Sequence, residues 1–130
     1  MTGHPSEEDG IRTVHAALEQ GITLFDTTDS YCLNSTENGH NERQLAKALH
    51  NRCEAIIATK GGHIRPEGRW ETDSRPEHLR QACEDSLRAL GVVAITLYKF
   101  HRPDPQIPFA ESVGTVAELQ REGKFVHVGL

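Results

Sequence analysis

Asp26, Tyr31, Lys60 and His101 supply a carboxylate, a phenol, an ammonium and an imidazole, the side chains with which proteins hold and pass protons. Asp26 closes the apolar run Ile22–Asp26 within ITLFDTTDSY, Lys60 closes Glu54–Lys60 (EAIIATK), and His101 closes Ala94–His101 (AITLYKFH). Each alone has an ordinary explanation. Asp-Thr-Thr-Asp-Ser is turn chemistry whose side chains bond nearby backbone groups. A strand-end lysine is usually a solvated surface residue, and a histidine ahead of Arg102-Pro103-Asp104-Pro105 can hold a turn together. Together they form a different pattern: if the three runs are successive parallel strands, their ends and the nearby Tyr31 converge on one rim.

The segments between them carry helical periodicity. Ser6 caps a predicted helix whose first turn holds Glu7, Glu8 and Asp9, and Ile11, Val14 and Leu18 share one face of it until Gly21. The strand Ile22–Asp26 follows at once. A second helix spans Glu42–His50, with Leu45, Ala48 and Leu49 at helical spacing, and leads into the buried-type run Glu54–Lys60. Ser74-Arg75-Pro76-Glu77 reads as a capping box opening a helix that turns Leu79, Ala82, Cys83, Leu87 and Leu90 inward and ends at Gly91. After Ala94–His101, Pro108 and Phe109 enter a helix with Val113, Val116 and Leu119 on one face. Gly123 ends it, and Lys124–Leu130 (KFVHVGL) is a fourth strand.

Four αβ units without a hairpin turn signal call for a parallel sheet joined by right-handed crossovers. An open doubly wound sheet and part of a (β/α)8 barrel both fit that order. The open sheet usually carries a glycine-rich strand-to-helix turn; neither G-x-G-x-x-G nor G-x-x-x-x-G-K-[ST] occurs here, and Gly61-Gly62 is a weak substitute. A barrel draws its chemistry from the C-terminal ends of several strands, where these residues fall.

With 36% hydrophobic and 25% charged residues, residues 1–130 have the make-up of one globular domain with one core. A formal net charge of −5 and 14 dispersed basic residues offer no stripe for a nucleic-acid backbone and no polybasic segment for a membrane surface. MTGHPSEEDG lacks the basic and apolar regions of a signal peptide, and no apolar run approaches the ~20 residues that span a bilayer, so a cytoplasmic protein is expected. Cys32, Cys53 and Cys83 are odd in number and lack CxxC spacing, which points to neither a disulfide framework nor a zinc site. His4, His15, His40, His50, His63, His78, His101 and His127 form no H-E-x-x-H or paired ligand motif. A metal-dependent barrel hydrolase is thus the lesser reading, and no metal site is expected.

FDTTDSY, ATKGG and LYKFHRPDP are similar, in order and separation, to the FDTAxxYG, strand-end lysine and LYxLHRPD motifs of the aldo-keto reductases, and AELQREGKFVHVGL resembles that family's EEGKIRxIGLSN. The resemblance covers nearly the whole chain after its first few residues. It implies a partial (β/α)8 TIM barrel, with about four parallel strands alternating with helices, lacking the first strand and the C-terminal half. It also implies NADPH-dependent reduction of a small aldehyde or ketone, NADH being possible, with Asp26, Tyr31, Lys60 and His101 in the places of the family's catalytic four. Asp26 and Thr27 would lie beside the nicotinamide. A phenol is a weak acid at neutral pH, so the Lys60 ammonium would favour its phenolate, Asp26 would orient that ammonium, and His101 would polarise the substrate carbonyl. Cys32 stands where the family has a glycine after the tyrosine, and Cys32–Gly39 is an unusual version of a variable loop.

In the family, the polar pair that holds the carboxamide and the loops that bind the phosphates follow later strands than those present here. The catalytic residues are therefore expected without most of the cofactor site, and the chain alone is expected to be inactive. A second reading is a catalytically silent, cofactor-binding or assembly member of the same fold, as in the family's ion-channel regulatory subunits. A piece of barrel also exposes two sheet edges and an inner face, on which Leu24, Ile57 and Thr59 are expected, so the isolated chain is expected to self-associate.

Overall fold

Ser6 caps the first helix. In the computed structural model, which describes residues 5–130, its hydroxyl accepts the Asp9 amide, and three acidic residues sit on the positive end of α1 (Glu7–Glu19). His4 lies outside the described residues. Along the chain follow β1 (Leu24–Asp26), α2 (His40–Ala48), β2 (Ile56–Gly61), β3 (His63–Ile64), β4 (Glu71–Thr72), α3 (Pro76–Leu90), β5 (Ile95–Phe100), α4 (Phe109–Arg121) and β6 (Phe125–Gly129). The strands β1, β2, β5 and β6 form one sheet in that order, every pair parallel. This is the alternating, all-parallel arrangement expected from the periodicity.

The core lies between that sheet and the last two helices. Leu79, Cys83, Leu87 and Leu90 of α3 and Val116 and Leu119 of α4 meet Ile95, Tyr98, Phe100 and Phe125, with the Tyr98 ring stacked on Phe125 at 5.0 Å. The face of α1 is only half-buried, because that helix packs on α2 and not on the sheet. Among the described residues no helix is long and apolar enough to cross a membrane.

Three local expectations are corrected. First, the loop after Lys60 holds an antiparallel hairpin, in which His63 pairs with Thr72 and Ile64 with Glu71. Its tip needs two consecutive left-handed residues, Glu67 (φ 49°) and Gly68 (φ 80°), rather than a two-residue Asn-Gly or Asp-Gly turn. Second, Ser74 does not begin a capping box. Proline at the first helical position starts α3 at Pro76 with Arg75 as the flanking residue, and the Ser74 hydroxyl donates to the Arg102 carbonyl (3.1 Å). That bond ties the start of α3 to the loop after β5.

Third, Ile57 and Thr59 do not face the barrel interior. Thr59 is fully buried and donates to Glu42 Oε1 of α2 (2.5 Å), and Ile57 packs on the helix-side core. Side chains alternate along a strand, so Ile56, Ala58 and Lys60 take the inner face, with Ile56 in register with Leu24 and Ala58 with Asp26. An error of one residue reverses every side chain of a strand. Leu24 of β1 and Val126 of β6 are each more than half exposed at the two edges.

Candidate active site

The three strand ends do meet. Lys60, almost fully buried, donates from Nζ to Asp26 Oδ2 (2.6 Å) and to the Thr27 carbonyl (3.0 Å). Parallel pairing sets this up: the Thr27 amide donates to the Ala58 carbonyl (2.8 Å), which locks the end of β1 two residues below Lys60 on β2. On the other side, the His101 amide donates to the Gly61 carbonyl (2.8 Å), holding the end of β5 at the same level.

Asp26 has a second cation. Lys99, in register with Lys60 on β5, places Nζ 2.5 Å from Asp26 Oδ1. Partial burial acts to raise the Asp26 pKa, but the hydrogen bonds and charges of the two lysines outweigh it, and the carboxyl ends below its ordinary value. Tyr31 lies against this cluster, its ring centroid 5.0 Å from Lys60 Nζ and its edge toward Trp70 at 6.4 Å. The lysine meets the tyrosine across the face of the ring.

His101 is held from the hairpin. Its Nδ1 lies 3.0 Å from Nδ1 of His63 on β3. Burial, the neighbouring His63 and the Lys60 charge push the His101 pKa down to about 4, so its imidazole is neutral at pH 7. Trp70 meets the His63 ring edge-on at 5.5 Å, and the Arg65 guanidinium covers Trp70 at 4.1 Å. Between hairpin and the loop after β5 opens a cleft of about 500 Å³, lined by His63, Trp70, Thr72, Arg102, Asp104 and Gln106.

The structure thus brings together Asp26, Lys60, Tyr31 and His101. It does not bring the Thr27 side chain to them: that hydroxyl is buried and donates to Asn41 Oδ1 of α2 (2.7 Å), so only the Thr27 backbone reaches the cluster. Lys99, His63 and Trp70 escaped the sequence reading. Lys99 was within reach, since it stands two residues before His101 in LYKFH and so on the same face of the strand. His63 and Trp70 depend on the hairpin, whose tip lacks the usual turn dipeptides. Among the described residues no group of three His, Cys, Asp or Glu side chains could hold a metal ion.

Residues 1–130 match the model of the Aldo/keto reductase family throughout. The chain belongs to that family. It is 40% identical over 128 residues to probable aldo-keto reductase 1 of Glycine max, a match covering 95% of this chain and 35% of the relative. The glycerol dehydrogenase AKR11B4 from Gluconobacter oxydans has the same fold over 98% of this chain and 40% of its own length, with a TM-score of 0.83 at 35% identity. The holo form of aldo-keto reductase AKR11C1 from Bacillus halodurans matches with a TM-score of 0.82 at 32% identity, over 97% of this chain and 42% of its own. This aldo/keto reductase chain therefore spans between a third and a half of these relatives, and its four parallel strands are a segment of their barrel wall.

Proposed function

We propose that this chain carries the proton-transfer side of the active site of a nicotinamide-dependent carbonyl reductase, with Tyr31 as the proton donor, and that it works only within a complete barrel. The observation that supports this most directly is the Lys60 ammonium, fixed by Asp26 at 2.6 Å and lying 5.0 Å from the Tyr31 ring. In carbonyl reduction a hydride goes to carbon, the π electron pair moves to oxygen, and that oxygen takes a proton. Reduced nicotinamide, NADPH in this reading with NADH possible, supplies the hydride when bound. Tyr31 gives its hydroxyl proton to the oxygen, and Lys60 favours the phenolate left behind. Asp26 keeps the ammonium in place. The neutral His101 ring offers an N–H to the same oxygen, a preorganised contact of the kind worth roughly 3 kcal/mol. A small aldehyde or ketone would enter by the cleft beside His63 and Trp70.

The residues present fit the reacting end of the cofactor better than its phosphates. Lys60 and Lys99 are both engaged by Asp26, and Arg65 is engaged by the Gly68 carbonyl and Trp70, so none of the three is available to a dinucleotide's anionic groups. The 130-residue chain alone is accordingly expected to bind NADPH more weakly than ~10 μM and to associate through its open edges. Tight calorimetric binding, or light scattering from a monodisperse 14.5 kDa monomer, would contradict this. The functional reading is tested by Tyr31→Phe in a complete barrel carrying this segment. The variant should lose 10²–10⁴-fold in kcat, the range typical of a general acid, with nicotinamide binding retained in a fluorescence titration. Retention of more than about a tenth of kcat would rule out Tyr31 as the donor.

A further inference from the structure

We propose that His63 is a positioning residue that fixes the tautomer of His101, leaving the His101 ring proton on Nε2, where a substrate carbonyl oxygen can accept it. This rests on the role given to His101 above. The two Nδ1 atoms are 3.0 Å apart, with ring planes at 71° and centroids 3.9 Å apart, a contact in which one nitrogen must donate and the other accept. Both rings are neutral at pH 7: burial lowers the His63 pKa, helped by the Arg102 and Lys60 charges, as burial, His63 and Lys60 lower that of His101. Asp26 acts on His101 in the opposite sense, but its carboxylate is already held by Lys60 and Lys99.

Two neutral imidazoles therefore share one proton across this contact. If His101 donated it, the outer Nε2 would show a lone pair to the carbonyl oxygen and repel it. If His63 donates it, His101 carries its proton on Nε2 and can give an N–H to the carbonyl oxygen. Only the second arrangement suits the donor role given to His101 above, so the proton of this contact belongs to His63 Nδ1.

The position of His63 is braced from several sides. Gly62, at φ 121°, turns the chain immediately before it, in a conformation that side chains other than glycine's rarely adopt. Pairing with Thr72 holds its backbone, Trp70 packs edge-on against its ring, and Arg65 covers Trp70 while its own guanidinium is fixed by the Gly68 carbonyl at 2.8 Å.

The test is nitrogen-15 NMR of labelled histidine in the complete barrel carrying this chain, at pH 7 and without cofactor, alongside kinetics of two variants. The parent should show His101 protonated on Nε2 and bare on Nδ1, with His63 the reverse. His63→Leu should release the tautomer of His101 and lower kcat about tenfold. His63→Asn, whose amide N–H can take the place of the histidine Nδ1–H, should restore both. His101 protonated on Nδ1 in the parent would overturn the proposal, and so would an unchanged tautomer and kcat in His63→Leu. The expected tautomers in a barrel that reduces no carbonyl would leave the His63–His101 contact standing and overturn the reductase reading instead.

Discussion

Only two residues stand between Asp26 and Asp29, yet one carboxyl meets two ammonium groups and the other feels a second carboxyl. Asp26 sits half-exposed on the rim, between Lys60 and Lys99. Asp29 is turned behind the sheet with Thr28 and Ser30, all three buried, and its carbonyl accepts the Gly39 amide (2.7 Å) ahead of α2. Burial and the Glu42 charge push the Asp29 pKa up to about 7, against the hydrogen bonds from Thr28 and Ser30. Glu42 is itself fully buried and raised by burial, one oxygen bonded to Thr59 and the other without a partner. Residue type does not set the charge of a carboxylate here; the side of the sheet does. Asp-Thr-Thr-Asp-Ser is thus both things at once, with its first aspartate in the candidate site and its second holding the turn.

The contrast breaks most severely at Lys60. Lys60→Met removes the cation shared by Asp26 and Tyr31, and in a complete barrel it should lower kcat by about 10²–10³-fold, the scale of a lost electrostatic contact in a reacting site. A kcat within about threefold of the parent's would show that Lys60 and Tyr31 do not act together.

Asp29 should leave its mark on stability instead. Between the ordinary carboxyl value near 3.8 and its native value of about 7, the folded Asp29 holds a proton that the unfolded chain has released. Stability therefore falls as pH rises through that window and levels off above it, by up to ~4 kcal/mol at 1.36 kcal/mol per unit. Asp26 has the opposite sign: its folded pKa is depressed, so its contribution is present above the unfolded value and is lost as pH falls through the folded one. Thermal melts from pH 3 to 8 should show Asp29→Asn flattening the decline between about pH 4 and 7, and Asp26→Asn altering only the acid limb. Glu42, Asp85, Arg43 and Arg88 line the cleft beside Asp29, so Glu42→Gln, which removes the neighbouring charge, should partly reproduce the flattening. An unchanged slope in Asp29→Asn would mean that Asp29 is charged in the folded protein.

Features governed by period were legible in the sequence, and features governed by one-residue geometry were not. Helical spacing located the inward faces of α3 and α4, and the apolar runs located all four parallel strands and the three strand ends that meet at Lys60. Strand parity was lost at Ile57 and Thr59, because a run such as EAIIAT is apolar on both faces and carries no alternation to read. The hairpin was hidden because its left-handed tip rests on Glu67, a residue with no turn signature, and with the hairpin went His63 and Trp70. Thr27 was placed beside the nicotinamide, next to Asp26, through the family resemblance. Along a strand the side chain after Asp26 points to the opposite face, here toward Asn41, so only its backbone reaches the site.

Lys99 offers the finest division of the rim. It stands level with Lys60 on the neighbouring strand and takes the other oxygen of Asp26, and Gly129 on β6 leaves room for it: a Cβ there would lie 2.8 Å from Lys99 Cγ. The two lysines differ in burial. Lys60 is 8% exposed at the side chain and makes a second bond to the Thr27 carbonyl, whereas Lys99 is 31% exposed and has Asp26 as its ion-pair partner. A partly solvated ion pair is screened and contributes about 0.2–1 kcal/mol, a factor of five at most in a rate. Lys99→Met should therefore lower kcat no more than about fivefold in a complete barrel, an effect that shrinks further in high salt, while Lys60 keeps both of its own hydrogen bonds. The double variant Lys60→Met/Lys99→Met should resemble Lys60→Met alone, since a cation on Asp26 matters to Tyr31 only through the lysine lying against its ring. A loss in Lys99→Met as large as that in Lys60→Met would show instead that the two ammonium groups hold Asp26 as one unit.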